Sequence, residues 1–205
     1  MATRYIARIY FLVLFIISLF EHRLFNFMTL NLFLAYIPLE LCFLLNLFKP
    51  QKTKEWPLFI IFSLIFILLV PNTFYMVTDL IHLNNFAFNF LISLNLIEWF
   101  AFTYLLAGVF FSLYCMVVIF VNLEHFTSNI WLNRWMVIGL MVLNGIGIYV
   151  GRFLRFHTVY LITRPLTIMH QVFDAINIKS IIFILFMVVL QAIVILFVKG
   201  VRMIK

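Results

Sequence analysis

Six long stretches of the chain run almost free of charge, and none shows the strict alternation of apolar and polar positions that marks a half-buried strand. In hydrocarbon the backbone polar groups of a lone segment must be paired within it, so runs of this kind predict helices of about 20 residues. They fall at roughly Tyr5–Phe20, Met28–Phe48, Trp56–Val77, Leu96–Val121, Trp135–Val150 and Ser180–Val198. Two shorter stretches differ. Phe86–Asn95 is too short to cross, and Pro165–Ile176 sets Leu166, Met169, Val172, Phe173 and Ile176 at helical spacing, so both read as interfacial. Pro165 suits a first helical turn, where its missing N–H has no partner to lose. The expected fold class is all-α: a polytopic transmembrane helix bundle of about six spans with short interfacial helices. No Gly-, Ser- or Pro-rich linker and no repeat divides residues 1–205, which read as a single integral membrane domain.

Composition agrees with this pattern. Of 205 residues 66% are hydrophobic and 10% charged, and 27 are phenylalanine, with a mean hydropathy of +1.18. A soluble domain needs far more polar surface to cover its core, so the lipid bilayer is the expected partner. The net charge of +7 does not point to nucleic acid, because the 14 Lys and Arg lie between apolar runs and form no basic face. Cys42 and Cys115 fall inside apolar runs and read as small buried hydrophobes rather than as a disulfide or zinc pair. Arg4 and Arg8 precede an apolar run, as in a secretory signal. No small-x-small cleavage site follows it, and the run reads as an uncleaved first span.

Six spans put both termini on one side. Arg4, Arg8, Lys49, Lys52, Lys54, Arg134, Lys199, Arg202 and Lys205 then share that side, and Arg23, Arg152, Arg155, Arg164 and Lys179 the other. Nine against five favours cytoplasmic termini by the positive-inside rule. Arg152, Arg155 and Arg164 resist the rule, which hints at another task for them. A seventh span that reverses part of the map is the alternative.

The densest polar motif runs from Pro71 to Leu83 and closes the third span. Pro71 removes an intrahelical hydrogen bond and frees a carbonyl near Val70 for a ligand, a water or Asn72. If helix continues through the motif, Tyr75, Asp79 and His82 share one stripe, with Thr78 beside it. Asp79 and His82 are candidate catalytic residues, a proton-transfer or metal-ligand pair in which the carboxylate orients the imidazole. The plainer alternative leaves both in the interface, solvated by water. Two ligands do not close a metal site, so metal and cofactor content stay unknown.

Gly151-Arg152-Phe153-Leu154-Arg155 and Thr163-Arg164-Pro165 follow the fifth span on the same side. Arginine forks suit phosphate and carboxylate, so Arg152, Arg155 and Arg164 are candidates for an anionic lipid, or for pairing with Asp79 and Glu98. Simple anchoring to headgroups is the bland alternative. Glu98 lies beside the interfacial Trp99. Glu40 reads as an intramembrane acid near the middle of the second span, costly when ionised and therefore paired or protonated. It is either a proton or cation carrier or a neutral group bonded to Asn144 or Gln191. Gly147 with Gly151, and Gly108 with Ser112, stand four apart and read as close helix packing. His125, His157 and His170 read as solvated loop residues. No nucleophile elbow, phosphate loop, HExxH pair or CxxC occurs.

Pro-Asn-x-x-Tyr-x-x-Thr-Asp-x-x-His-Leu at Pro71 to Leu83, followed by Gly-Arg-Phe-Leu-Arg at Gly151 to Arg155, resembles the bacterial membrane-protein family called domain of unknown function 1361. The resemblance implies a polytopic protein of the bacterial cytoplasmic membrane over nearly the whole chain, and no established activity. In that family the arginine motif continues into an Asn-Ser-Trp-Asp stretch, whereas this chain reads His157-Thr158-Val159-Tyr160 and lacks the acid. The leading functional expectation is an outward-facing polar pocket that binds an anionic lipid or lipid-linked group. Alternatives are a proton-coupled transporter using Glu40, a membrane hydrolase or transferase using Asp79 and His82, and a membrane assembly partner; whether the protein is an enzyme stays open.

Overall fold

The computed structural model describes residues 2–21, 24–88, 94–154, 170–172 and 174–203. Among them there is no strand, and six helical stretches are long and apolar enough to cross a membrane: Ala2–Phe20, Met28–Leu45, Thr53–Asn85, Leu96–Glu124, Ile130–Leu154 and Ile178–Arg202. The protein is a multi-pass, all-α membrane bundle. We label its helices α1 (Ala2–Phe20), α2 (Met28–Leu45), α3 (Trp56–Leu69), α4 (Asn72–Tyr75), α5 (Leu96–Glu124), α6 (Ile130–Tyr149) and α7 (Ile178–Arg202). A ten-residue 3-10 helix, Met76–Asn85, continues α4, and a π-helical turn, Val150–Leu154, extends α6.

Helix α5 is the axis. Its Ala101, Leu105, Phe111, Cys115, Met116 and Ile119 have no exposed surface, and it packs against α1, α2, α4, α6, α7 and the 3-10 helix. Outer helices reverse the soluble pattern. Ile60, Ile61 and Leu64 of α3 and Leu196 and Phe197 of α7 are exposed, the lipid-facing surface that composition requires. Where α1, α2 and α5 meet, Phe11 stacks on Tyr36 with ring centres 4.3 Å apart, and the Tyr10 hydroxyl donates to the Ala107 carbonyl at 2.9 Å. Cys42 and Cys115 are free and buried.

Both described chain ends lie at one end of the bundle. Arg4 and Arg8 of α1 meet Glu40 late in α2, and Lys199 late in α7 pairs with Glu124 at the end of α5, 2.5 Å apart. We call this the terminal end and its opposite the far end.

Several details differ from the sequence expectation. Helix α2 stops at Leu45, short of Phe48. Helix α6 starts at Ile130 rather than Trp135, because the Asn129 side chain caps it, accepting from the Trp131 and Leu132 amides at 3.0 and 3.2 Å. Asn177 does the same for α7, accepting from Lys179 and Ser180. The third span does not run unbroken to Val77. Pro71 has no N–H to continue α3, and the backbone turns at Val70 before α4 resumes. Of the two interfacial stretches, residues 89–93, 165–169 and 173 lie outside the described residues.

Glycine sets the closest helix approaches. A Cβ on Gly147 would sit 2.6 Å from Pro71 Cβ, and one on Gly151 would sit 3.1 Å from Tyr75 Cε2. These two positions let α6 lie directly against the break in the third span, the packing that small residues at this spacing permit. Gly108 of α5 likewise receives the Met28 and Met76 side chains.

Candidate functional site

The Pro71 break and the two glycines of α6 together build the polar knot at the far end. Beyond the break the chain winds as a 3-10 helix, in which residues three apart eclipse one another. Asp79 and His82 therefore align with Met76, as the sequence spacing suggests, but Tyr75 aligns with Thr78 instead of sharing the Asp79 stripe. Ten residues is long for this helix type, and such runs persist where tertiary contacts impose them. Here the 3-10 helix packs along α5, and the π-helical turn after α6 carries Arg152 across Tyr75, Thr78 and Asp79.

Arg152 is held on three sides. It donates through Nε and one terminal nitrogen to Thr78 Oγ1, at 3.1 and 2.6 Å, and through that terminal nitrogen to Asp79 Oδ1 at 2.5 Å. Its guanidinium carbon lies 4.4 Å from the centre of the Tyr75 ring, a cation–π contact. Asp79 is 1% exposed, and its second oxygen accepts from Asn31 Nδ2 of α2 at 2.7 Å. Both carboxylate oxygens are thus engaged by protein, and the ion pair ties α2, the 3-10 helix and α6 together. Arg152 keeps 19% of its side-chain surface exposed. The carboxylate is the buried member of the pair, and the arginine is the more exposed one.

The remaining candidates divide. His82 is half-buried, its ring 4.4 Å from the Phe27 ring, and no hydrogen bond joins it to Asp79. Asn72 donates to the Leu69 carbonyl at 2.9 Å, three residues before it. Glu98, at the start of α5, forms no ion pair among the described residues. Arg155 and Arg164 lie outside the described residues. Among the described residues no group of three His, Cys, Asp or Glu could hold a metal ion.

Glu40 belongs to a separate cluster. It stands in the terminal half of α2, five residues or about 7.5 Å by helical rise before its end, and so close to the mid-span position that the sequence suggests. Arg8 donates from Nε to Oε1 at 2.9 Å and from a terminal nitrogen to Oε2 at 3.1 Å. Arg4 donates to Oε2 from both Nε, at 3.0 Å, and a terminal nitrogen, while the Tyr36 hydroxyl donates to Oε1 at 2.5 Å. Glu40 is paired, but its partners are arginines of α1. Asn144 and Gln191, the neutral partners considered for it, bond to each other between α6 and α7 at 2.8 Å.

Sequence reasoning missed Asn31, Arg4, Arg8 and Tyr36. Two signals were present. Tyr36 lies one helical turn before Glu40, and Arg4 and Arg8 are the bases that a first span would carry to the same end. Asn31 gave no signal beyond being a lone amide in an apolar run.

Neither the comparison with curated proteins nor that with solved structures finds a match. A family model described as protein of unknown function (DUF1361) matches residues 30–194. The match takes in Asn31, Glu40, Asp79 and Arg152 and leaves Arg4 and Arg8 outside. With four-fifths of its length so matched, the chain belongs to the DUF1361 family.

Proposed function

We infer that this membrane protein binds an anionic lipid or lipid-linked group at the far end of its bundle, with Arg152 as the fixed contact and Arg155 and Arg164 of the following segment as further cations. The observation that carries the reading is the seating of Arg152. A guanidinium held by a buried carboxylate, a hydroxyl and an aromatic face has already given up its rotamer freedom, so an incoming phosphate meets a preorganised donor. The excess of nine basic residues over five favours placing the termini in the cytoplasm of a bacterial cell, which makes the far end the outward one.

The rival readings draw less from the geometry. A general acid–base role for His82 needs Asp79 to orient it, and no hydrogen bond joins the two, while Arg152 and Asn31 already bond the carboxylate. A carrier role for Glu40 must release two arginines at each proton uptake.

The test uses the double variant Asp79→Leu/Arg152→Met, which removes the pair without stranding a buried charge. Protein is extracted in mild detergent, and retained lipid is identified by native mass spectrometry. The expected result is a monodisperse protein that retains less acidic lipid than the wild type, while Gly139→Ala leaves the lipid complement unchanged. An unchanged lipid complement in the double variant rejects the reading, and a copurifying protein in place of lipid transfers the site to the assembly alternative.

A further inference from the structure

At the terminal end, far from Arg152, the wall of the bundle is open. Helix α3 packs on α2 but stands apart from α6, and the gap is a cavity of about 550 Å³. It runs along α3 from Trp56 to Ile67 and along α6 from Leu132 to Leu143. The gap has a definite apex: Pro71 closes on Gly147 just beyond it, and the two helices diverge from that contact. At 1.5 Å per residue its length is about 16 Å, close to half of a hydrocarbon core about 30 Å thick. The groove therefore spans the depth of one leaflet.

Its chemistry changes with depth. The walls are apolar except for Ser63, whose hydroxyl is buried and has no hydrogen-bond partner, and Thr127, whose hydroxyl is bonded to Asn129 and Asn133. At the mouth stand Trp56, a side chain suited to the interface, and Lys49. The Lys49 ammonium donates to the Phe126 carbonyl at 2.9 Å and lies 5.0 Å from the Phe126 ring centre, and it has no carboxylate partner among the described residues. Lys52 and Lys54 follow on the same loop. The loop's one acid, Glu55, is engaged by the backbone amides of Gln51 and Lys52. Eight described Lys and Arg at this end face three acids.

We propose that the groove between α3 and α6 receives one acyl chain of an anionic phospholipid from the terminal-side leaflet, with the lipid phosphate against the Lys49 ammonium. Shape and charge agree on this occupant. The groove is about as long as one leaflet is deep, the length that an acyl chain spans. A dry apolar slot in hydrocarbon is filled by a flexible chain, and the unpaired cation at its mouth selects a headgroup of net negative charge. The site is separate from the one at Arg152 and does not depend on it.

Gly139 supplies the test, because it lines the groove and a Cβ built on it meets nothing within 4 Å. Full-length protein in phosphatidylcholine vesicles is labelled by phosphatidylglycerol carrying a photoreactive diazirine in its acyl chain. Labelled peptides are mapped by mass spectrometry. Labelling is expected to concentrate on Phe59–Ile67 and Met136–Leu143. Gly139→Leu and, from the facing wall, Ser63→Leu should each lower it severalfold, while Gly139→Ala leaves it intact. Lys49→Gln should reduce the preference for phosphatidylglycerol over a phosphatidylcholine probe about fivefold, the worth of one lysine at an anionic surface, and Asp79→Leu/Arg152→Met should change none of this. Labelling spread evenly over the exposed faces of α1 and α7, or unaffected by both plugs, overturns the proposal. So does a cysteine at Gly139 that crosslinks to a second copy or another protein.

Discussion

Removing one member of the Asp79–Arg152 pair should destabilise the bundle unequally from the two sides. Arg152→Met leaves a carboxylate that is 1% exposed with only the Asn31 amide for company. Stranding a buried charge in this way costs about 3–5 kcal/mol. Asp79→Leu instead leaves Arg152, 19% exposed and still bonded to Thr78 and lying on the Tyr75 ring. A guanidinium in that position can rotate toward water, so the cost falls to about 1–3 kcal/mol, the range for a polar group that loses its partner. The double replacement by apolar residues of similar size should be milder than Arg152→Met alone, with a coupling of about 2 kcal/mol between the positions. Reversible unfolding in mixed micelles measures these differences, and a thermal scan reports them as about 2–4 °C per kcal/mol for a chain of this length. Equal losses for the two single variants, or a double variant that shows their sum, would refute the idea that Asp79 is buried chiefly to hold Arg152.

Three further outcomes follow from the packing. Gly147→Ala should lower stability by about 1–3 kcal/mol through overpacking against Pro71, whereas Gly139→Ala, with open space around it, should be neutral or gain up to about 1 kcal/mol in helix propensity; thermal shift in detergent compares the two. Gln191→Leu should cost about 0.6–2 kcal/mol by stripping Asn144 Nδ2 of its acceptor, and Asn144→Leu/Gln191→Leu should recover most of it, both read by the same unfolding assay. Glu40→Gln should reduce folded yield in the membrane by leaving Arg4 and Arg8 facing each other, and the loss should be relieved by Arg8→Gln in the same chain; an unaltered yield in Glu40→Gln would count against the cluster as a structural clamp.

The spans were legible in the sequence because hydrocarbon leaves the backbone one economical choice, and a run such as Trp56–Leu69 has no charge with which to do otherwise. Helix ends were legible only where composition changes. The starts of α6 and α7 were missed by several and by two residues, since Asn129 and Asn177 act as caps by geometry that hydropathy does not register. The pairing of Asp79 with Arg152 was among the options that charge and side of the membrane allowed. The choice between it and Glu98 depended on how α6 approaches the third span, which Gly147 and Gly151 decide. The partner of Glu40 was misread for the same reason. A lone acid announces that it needs a partner, but which helix stands beside it is a property of the whole bundle.

Pro71 connects the two ends of the molecule. By ending α3 it releases the third span from α-helical register, and the 3-10 path that follows presents Thr78 and Asp79 to Arg152. By pressing into the notch at Gly147 it also fixes where α3 meets α6, and so where the two helices begin to part toward the terminal end. One proline thus acts twice, through its missing N–H to set a cation on a rigid platform at one end and through its ring to fix where α3 and α6 part toward the other. A proline serving only as a tolerated kink would leave the α3–α6 separation free to vary. Here the separation is pinned by a contact in which neither side has an atom to spare, since Gly147 has no Cβ and Pro71 no rotatable side chain. Any substitution that moves this contact must therefore disturb the Arg152 seat and the groove together, whereas Gly139→Leu and Asp79→Leu/Arg152→Met each reach only one of them.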